Sequence, residues 1–139
     1  MIESVLTACR GLLIANSTLM TLIGGGTKVY AMQAPEDAVL PYIVVNLTGG
    51  GDENQTLNPT FDVTLSAICV AEDGLTAAQA ADQMRTLLHG ATPTLTGGWT
   101  LWSAGGMRCL SAVLYNETEG RRTYTYAGHT VGVRGYKSA

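Results

Sequence analysis

The apolar positions change their period several times along the chain, and each change marks an element. Ile2, Val5, Leu6, Cys9, Leu12 and Leu13 recur at helical spacing, and Glu3 in the first turn suits the positive end of a helix dipole. Asn16 or Ser17 can cap a second, short helix carrying Leu19, Met20, Leu22 and Ile23, which Gly24, Gly25 and Gly26 end. The spacing then shifts to two. "KVYAM" reads as a short strand, "QAPEDAVLP" as a loop in which Pro35 and Pro41 exclude helix, and "YIVVNLT" (42–48) as a strong strand. In "TFDVTLSAICV" (60–70), Phe61, Val63, Leu65, Ala67 and Cys69 alternate with Asp62, Thr64 and Ser66. That alternation predicts one buried face and one wet face.

Helical spacing returns over residues 72–90. Ala77, Ala80, Ala81, Met84, Leu87 and Leu88 form a stripe, Thr76 and Gln79 have the spacing of a capping box, and Gly90 stands at the end. The alanines make one face smooth enough for close packing on a sheet. "WTLWSA", "MRCLSAVLY" and "RRTYTYAGHTVGVRGY" then read as strands, with "NETEG" (116–120) as the turn before the last. No regular alternation of strand and helix occurs. The order predicts a single α+β domain over residues 1–139, with a mostly antiparallel β-sheet, two main helices packed on one face and a projecting β-hairpin.

The hairpin tip is the stretch "TGGGDENQT", and its composition invites a ligand reading. A phosphate loop needs Gly-Lys-Ser/Thr, which occurs nowhere in the chain, and a dinucleotide loop needs its glycines to open a helix. Counted from Asp52 as a calcium loop, the sixth position is Leu57 and the twelfth Val63, so the required glycine and glutamate are missing. The stretch therefore reads as a flexible tip between strands, and Gly49, Gly50, Gly51, Asp52, Glu53 and Asn54 become candidate protein-interaction residues. Deleting Gly50 to Asn54 is then expected to spare the fold. Arg121 and Arg122, in the turn before the last strand, are the second candidate pair, facing acidic groups of a neighbour.

Catalytic chemistry is poorly supplied. The adjacent acids Glu36–Asp37, Asp52–Glu53 and Glu72–Asp73 would point to opposite faces if extended, so sequence adjacency makes no acid–base pair. His89 falls in the last turn of a helix, where a partly positive imidazole suits the dipole. His129 falls in a strand. No GxSxG occurs, and Cys9, Cys69 and Cys109 each sit in apolar periodicity without a CxxC. No catalytic, cofactor-binding or metal-binding residue is assigned, and no enzyme activity or cofactor is expected.

Composition shifts attention to other chains. Charged residues make up 14% of the 139, against about 25% in ordinary domains, so much of the surface is weakly polar and suits cover by another subunit. The net charge of −3 does not favour nucleic acid or anionic membrane. Residues 1–70 hold six acids against Arg10 and Lys28, whereas residues 71–139 hold five acids against six bases. Such a division suits head-to-tail packing. Three reduced thiols, no signal peptide and no membrane span are the reading, with folding in the cytoplasm.

The succession of segments resembles the tail terminator (tail completion, minor tail) proteins of long-tailed bacteriophages. "MIESVLTACRGLL" is similar to the opening helix of that family, and "LMTLIGGG" to the short segment after it. "KVYAMQAPEDAVLPYIVV" is similar to its strand, alanine–proline loop and Pro-Tyr strand. "TFDVTLSAICVAEDGLTAAQAADQMRTLLHG" matches its long strand, acidic turn and alanine-rich helix. "CLSAVLYNETEGRRTYTYAGHTVGV" resembles its final hairpin. "TLTGGWTLWSAGG" and "RGYKSA" have no counterpart. The resemblance implies a structural virion protein at the tail–neck junction, assembled in the host cytoplasm. It implies a homo-oligomeric ring, as a rule hexameric, on the head-proximal end of the tail tube, which ends tube polymerisation and provides the head–tail joining surface. The implied partners are the tail tube protein, a neck or head-completion protein, and DNA that crosses the channel without sequence-specific binding. Another neck or head–tail joining protein is the alternative, and a small ligand-binding domain or enzyme the more distant one.

Overall fold

The computed structural model describes residues 1–53, 59–103 and 105–137. Helix α1 (Ile2–Ile14) leads into α2 (Ser17–Leu22), whose N-cap is Asn16; its side chain accepts the Leu19 N–H at 2.8 Å. Strand β1 (Val29–Ala31) and β2 (Tyr42–Glu53) follow, then β3 (Thr60–Ala71), α3 (Gly74–Leu88), β4 (Trp99–Leu101), β5 (Met107–Glu119) and β6 (Arg122–Lys137).

All six strands form one sheet in the order β1-β2-β3-β6. The far side of β6 is shared: β4 pairs with its last residues and β5 with the remainder, so β4 and β5 lie end to end along one edge. Every ladder is antiparallel except β1 with β2. The fold is α+β with a curled, mostly antiparallel sheet and its helices on one face, as the pattern predicted.

That face holds the core. Ile43, Val45, Val63, Leu65, Ala67, Cys69, Val131 and Val133 from the sheet are buried against Cys9, Leu13, Ile23, Ala77, Ala80, Met84 and Leu88 from the helices. The alternation of β3 is visible in full, with Phe61 through Cys69 inward at every second position. Small side chains at 77, 80 and 81 let α3 settle on β3 and β6. His129 is buried there, and its Nε2–H donates to the Ala81 carbonyl at 2.9 Å, which satisfies a polar group that would otherwise be costly to bury. Ser4 on α1 accepts the Thr96 N–H at 2.8 Å and tethers the segment before β4.

Four local expectations change. Helix α3 begins three residues earlier than a Thr76 cap would allow: Asp73 is the N-cap, accepting the Leu75 N–H at 3.1 Å, while the Thr76 hydroxyl donates back to it at 2.9 Å. His89 is the C-cap rather than a residue of the last turn, and its Nδ1 accepts the Cys109 N–H at 3.1 Å, so the ring ties the helix end to β5. Asn116 to Glu119 belong to β5, and the turn is only Gly120–Arg121. Their polarity reflects an exposed strand, not a loop. Finally, the wet face of β3 is partly covered, with Ser66 and Val70 buried.

Replacing Asp73 by Ala removes the one side-chain cap of α3 and should lower unfolding free energy by about 1 kcal/mol. Urea titration should show a lower midpoint at unchanged slope.

Candidate functional site

Strand β2 does not end where its apolar run ends. Gly49, Gly50, Gly51, Asp52 and Glu53 continue the ladder, opposite Thr64, Val63, Asp62, Phe61 and Thr60. The turn expected at 49–59 is therefore shorter, and Asn54 lies outside the described residues. A bulge at Thr48 admits the extra residue, and the Thr48 hydroxyl donates to the Thr64 carbonyl at 3.1 Å. Gly50 has φ +89°, and a Cβ there would run into the Asp62 carbonyl and the Val63 Cα. Glycine at this position serves the strand crossing, not tip mobility. Deleting Gly50 to Asn54 would thus remove paired strand backbone, contrary to the expectation that the fold is spared.

Arg121 and Arg122 sit at the other end of the sheet. The β2–β3 hairpin opens beside the end of β6, where Lys137 N–H donates to the Pro59 carbonyl at 2.9 Å, whereas Arg122 begins β6. Sixteen residues of β6 separate the two regions, or about 50 Å along an extended strand. The two candidate clusters are not one site but opposite ends of one sheet. Arg122 is already engaged within the chain, 3.5 Å from Glu72. Both side chains are well exposed, so the pair adds little stability. Arg121 makes no ion pair among the described residues.

The strand read in "MRCLSAVLY" is β5, but the periodicity reading did not show how open it is. It is almost wholly exposed: Leu110 is 50%, Leu114 71% and Tyr115 48% accessible. Tyr115 stacks on Tyr126 of β6 at 4.6 Å between centroids and 6° between planes. Burial, then a hydrogen bond to the Glu117 carboxylate, push the Tyr126 hydroxyl up to about 12. Together with Tyr42, Val44 and Ile68 these rings line a groove of about 290 Å³ on the sheet face away from the helices. The signal was present in "LSAVLY", six residues without a charge in a segment that only weakly alternates.

The cysteines are placed as packing residues. Cys9 and Cys69 are fully buried, and burial raises each thiol to about 12, far from a reactive thiolate. A hollow of about 620 Å³ beside the Glu72–Arg122 pair contains neither histidine nor cysteine in its lining. Among the described residues no three His, Cys, Asp or Glu side chains converge as metal ligands would, and no helix is long and apolar enough to cross a membrane.

Residues 7–124 match the family described as "Tail completion protein gp17". The chain belongs to that family. It is accordingly a structural protein of a phage-type tail, in a family whose members are not enzymes in general. No curated protein matches the sequence. Among 13 matching chains of solved structures, one comes from the virion of a native gene transfer agent particle. It is 22% identical, with a TM-score of 0.66, over 96% of each chain. At that identity the likeness is one of fold.

Gly50→Ala is expected to destabilise the tail completion domain by about 1–3 kcal/mol, because it adds both a positive-φ penalty and a backbone clash. A thermal melt of the variant should show the loss; an unchanged melt would mean the bulge is not fixed.

Proposed function

We propose that this chain forms a ring, of six copies, that caps the head-proximal end of a phage-type tail tube. The observation that carries this reading is membership of the tail completion family over residues 7–124. The neighbouring fold from a gene transfer agent virion supports a place in a virion particle. The ring stops growth of the tube, offers the joining surface to a neck or head-completion protein, and leaves a channel for DNA that is not read by sequence. It sits at the tail–neck junction and is assembled in the host cytoplasm.

The sheet supports a division of labour between its ends. The hairpin end carries Gly49 to Glu53 and points one way along the strands; the Gly120–Arg121 turn points the other. In the proposed ring one end meets the tube and the other the next ring, and Arg121 meets an acidic group there. Low charge content leaves the flanks weakly polar, as lateral packing requires.

Particles made without this chain should carry tail tubes of uncontrolled, excessive length in negative-stain micrographs. Tubes of normal length that merely fail to join heads would favour a neck or head–tail joining role instead. Arg121→Glu should leave the fold intact and weaken joining several-fold, as loss of a rim charge does. An undiminished yield of complete particles would remove Arg121 from the contact.

A further inference from the structure

We propose that the outer edge of β5 is a subunit contact, covered by a second copy of this chain that adds the bare edge of its own β2 as the next strand. The proposal rests on the ring reading and specifies its lateral contact.

Edge strands in soluble domains are normally short, charged, prolyl or covered, because unpaired backbone groups recruit other strands. β5 is 13 residues long, and its stretch Leu110 to Tyr115 has no charge and no proline. The chain does cover the beginning of this edge. His89 Nδ1 accepts the Cys109 N–H, and the Gly90 N–H donates to the Met107 carbonyl at 2.8 Å. The cover stops there. Glu119 and Arg122 flank the two-residue Gly120–Arg121 turn, which makes them a hydrogen-bonded pair. Counting back by twos, Glu117, Tyr115, Val113 and Ser111 bond β6. Ala112, Leu114, Asn116 and Thr118 turn their N–H and C=O outward, and no backbone hydrogen bond reaches them among the described residues.

The opposite side of the sheet has the matching deficiency. β1 covers β2 only at Ile43, Val44 and Val45, with the Met32 N–H reaching the Val45 carbonyl. From Asn46 to Glu53 no strand borders that edge among the described residues. Eight residues amount to about 25 Å of possible ladder.

Strand direction decides how two copies fit. β2 and β6 run one way, β3 and β5 the other. A copy placed alongside in the same orientation brings its β2 antiparallel to β5, and the alternation continues across the boundary. Such a contact is heterologous, uses both bare edges of every subunit, and closes as a ring. Pairing β5 with β5 would close as a dimer and leave β2 bare. The exposed Leu110, Leu114 and Tyr115 flank the new ladder and would be covered by the neighbour, on the scale of the ~800 Å² per partner that a stable contact takes.

Proline separates the contact from the fold. Ala112→Pro and Leu114→Pro remove outward donors that the subunit does not use, so circular dichroism should be unchanged while the oligomer is lost by light scattering. Val113→Pro breaks the β5–β6 ladder and should unfold the sheet. A second measurement does not depend on proline tolerance. In a Cys109→Ser background, Leu114→Cys combined with Thr48→Cys or Gly49→Cys should give disulfide-linked multimers on non-reducing gels, and Leu114→Cys alone should not. Dimers from Leu114→Cys alone, or full oligomers from well-folded proline variants, would overturn this contact while sparing the ring. A wild-type chain that stays monomeric both alone and with tail tubes would overturn the ring reading itself.

Discussion

Strand β6 is the constraint on which the architecture depends. Its two sides serve three strands, β3 along one and β4 with β5 along the other. Its two faces are equally committed. Ala127, His129, Val131 and Val133 enter the core, while Tyr126 and Arg134 stand on the other face. Between them lies Gly128, where a Cβ would strike the Ala67 carbonyl and the Ile68 Cα, so the β3–β6 approach tolerates no side chain. A slip of one residue would exchange core valines for glycines and a charged arginine. Register is thus fixed from both faces at once.

The helices complete this arrangement rather than create it. α3 lies over β3 and β6 because its alanines allow close contact, and His129 fastens its middle to the sheet. α1 covers β1 and β2, and α2 packs against α1 and α3. Nothing comparable covers β5 beyond its first residues: Met107 enters the core, Cys109 packs against it, and His89 and Gly90 hold the backbone there. Stability and availability are therefore unevenly distributed: the half of the sheet near β2 and β3 is filled, and the half near β5 is open.

The core was legible because period and burial coincide wherever an element has one covered face. Phe61 to Cys69 and Ala77 to Leu88 are such cases, and the α+β class followed from their order. Errors came where polarity had a different cause. Asn116 to Glu119 looked like a turn because an edge strand open on both faces needs no apolar alternation. Gly49 to Gly51 looked like a mobile tip because a sequence shows a glycine's freedom but not the opposing carbonyl that demands it. The separation of the two candidate clusters could not be read at all, since it depends on β6 passing the β2–β3 hairpin over its whole length. Asp73 was overlooked as a cap because Thr76 with Gln79 offered a competing pattern only three residues away.

The length and position of β6 also bear on how the chain is made. Thr60 waits for Tyr136, 76 positions later, and β4 and β5 wait for the same segment. A chain emerging from the ribosome can form α1, α2, α3 and the β2–β3 hairpin, but the sheet stays half built until residues 122–137 are free. Such distant pairing is slow to form. Before it forms, the apolar face of β3 has no neighbour on one side. Folding to the state with defined edges thus waits for β6, which delays any association between copies until residues 122–137 have paired.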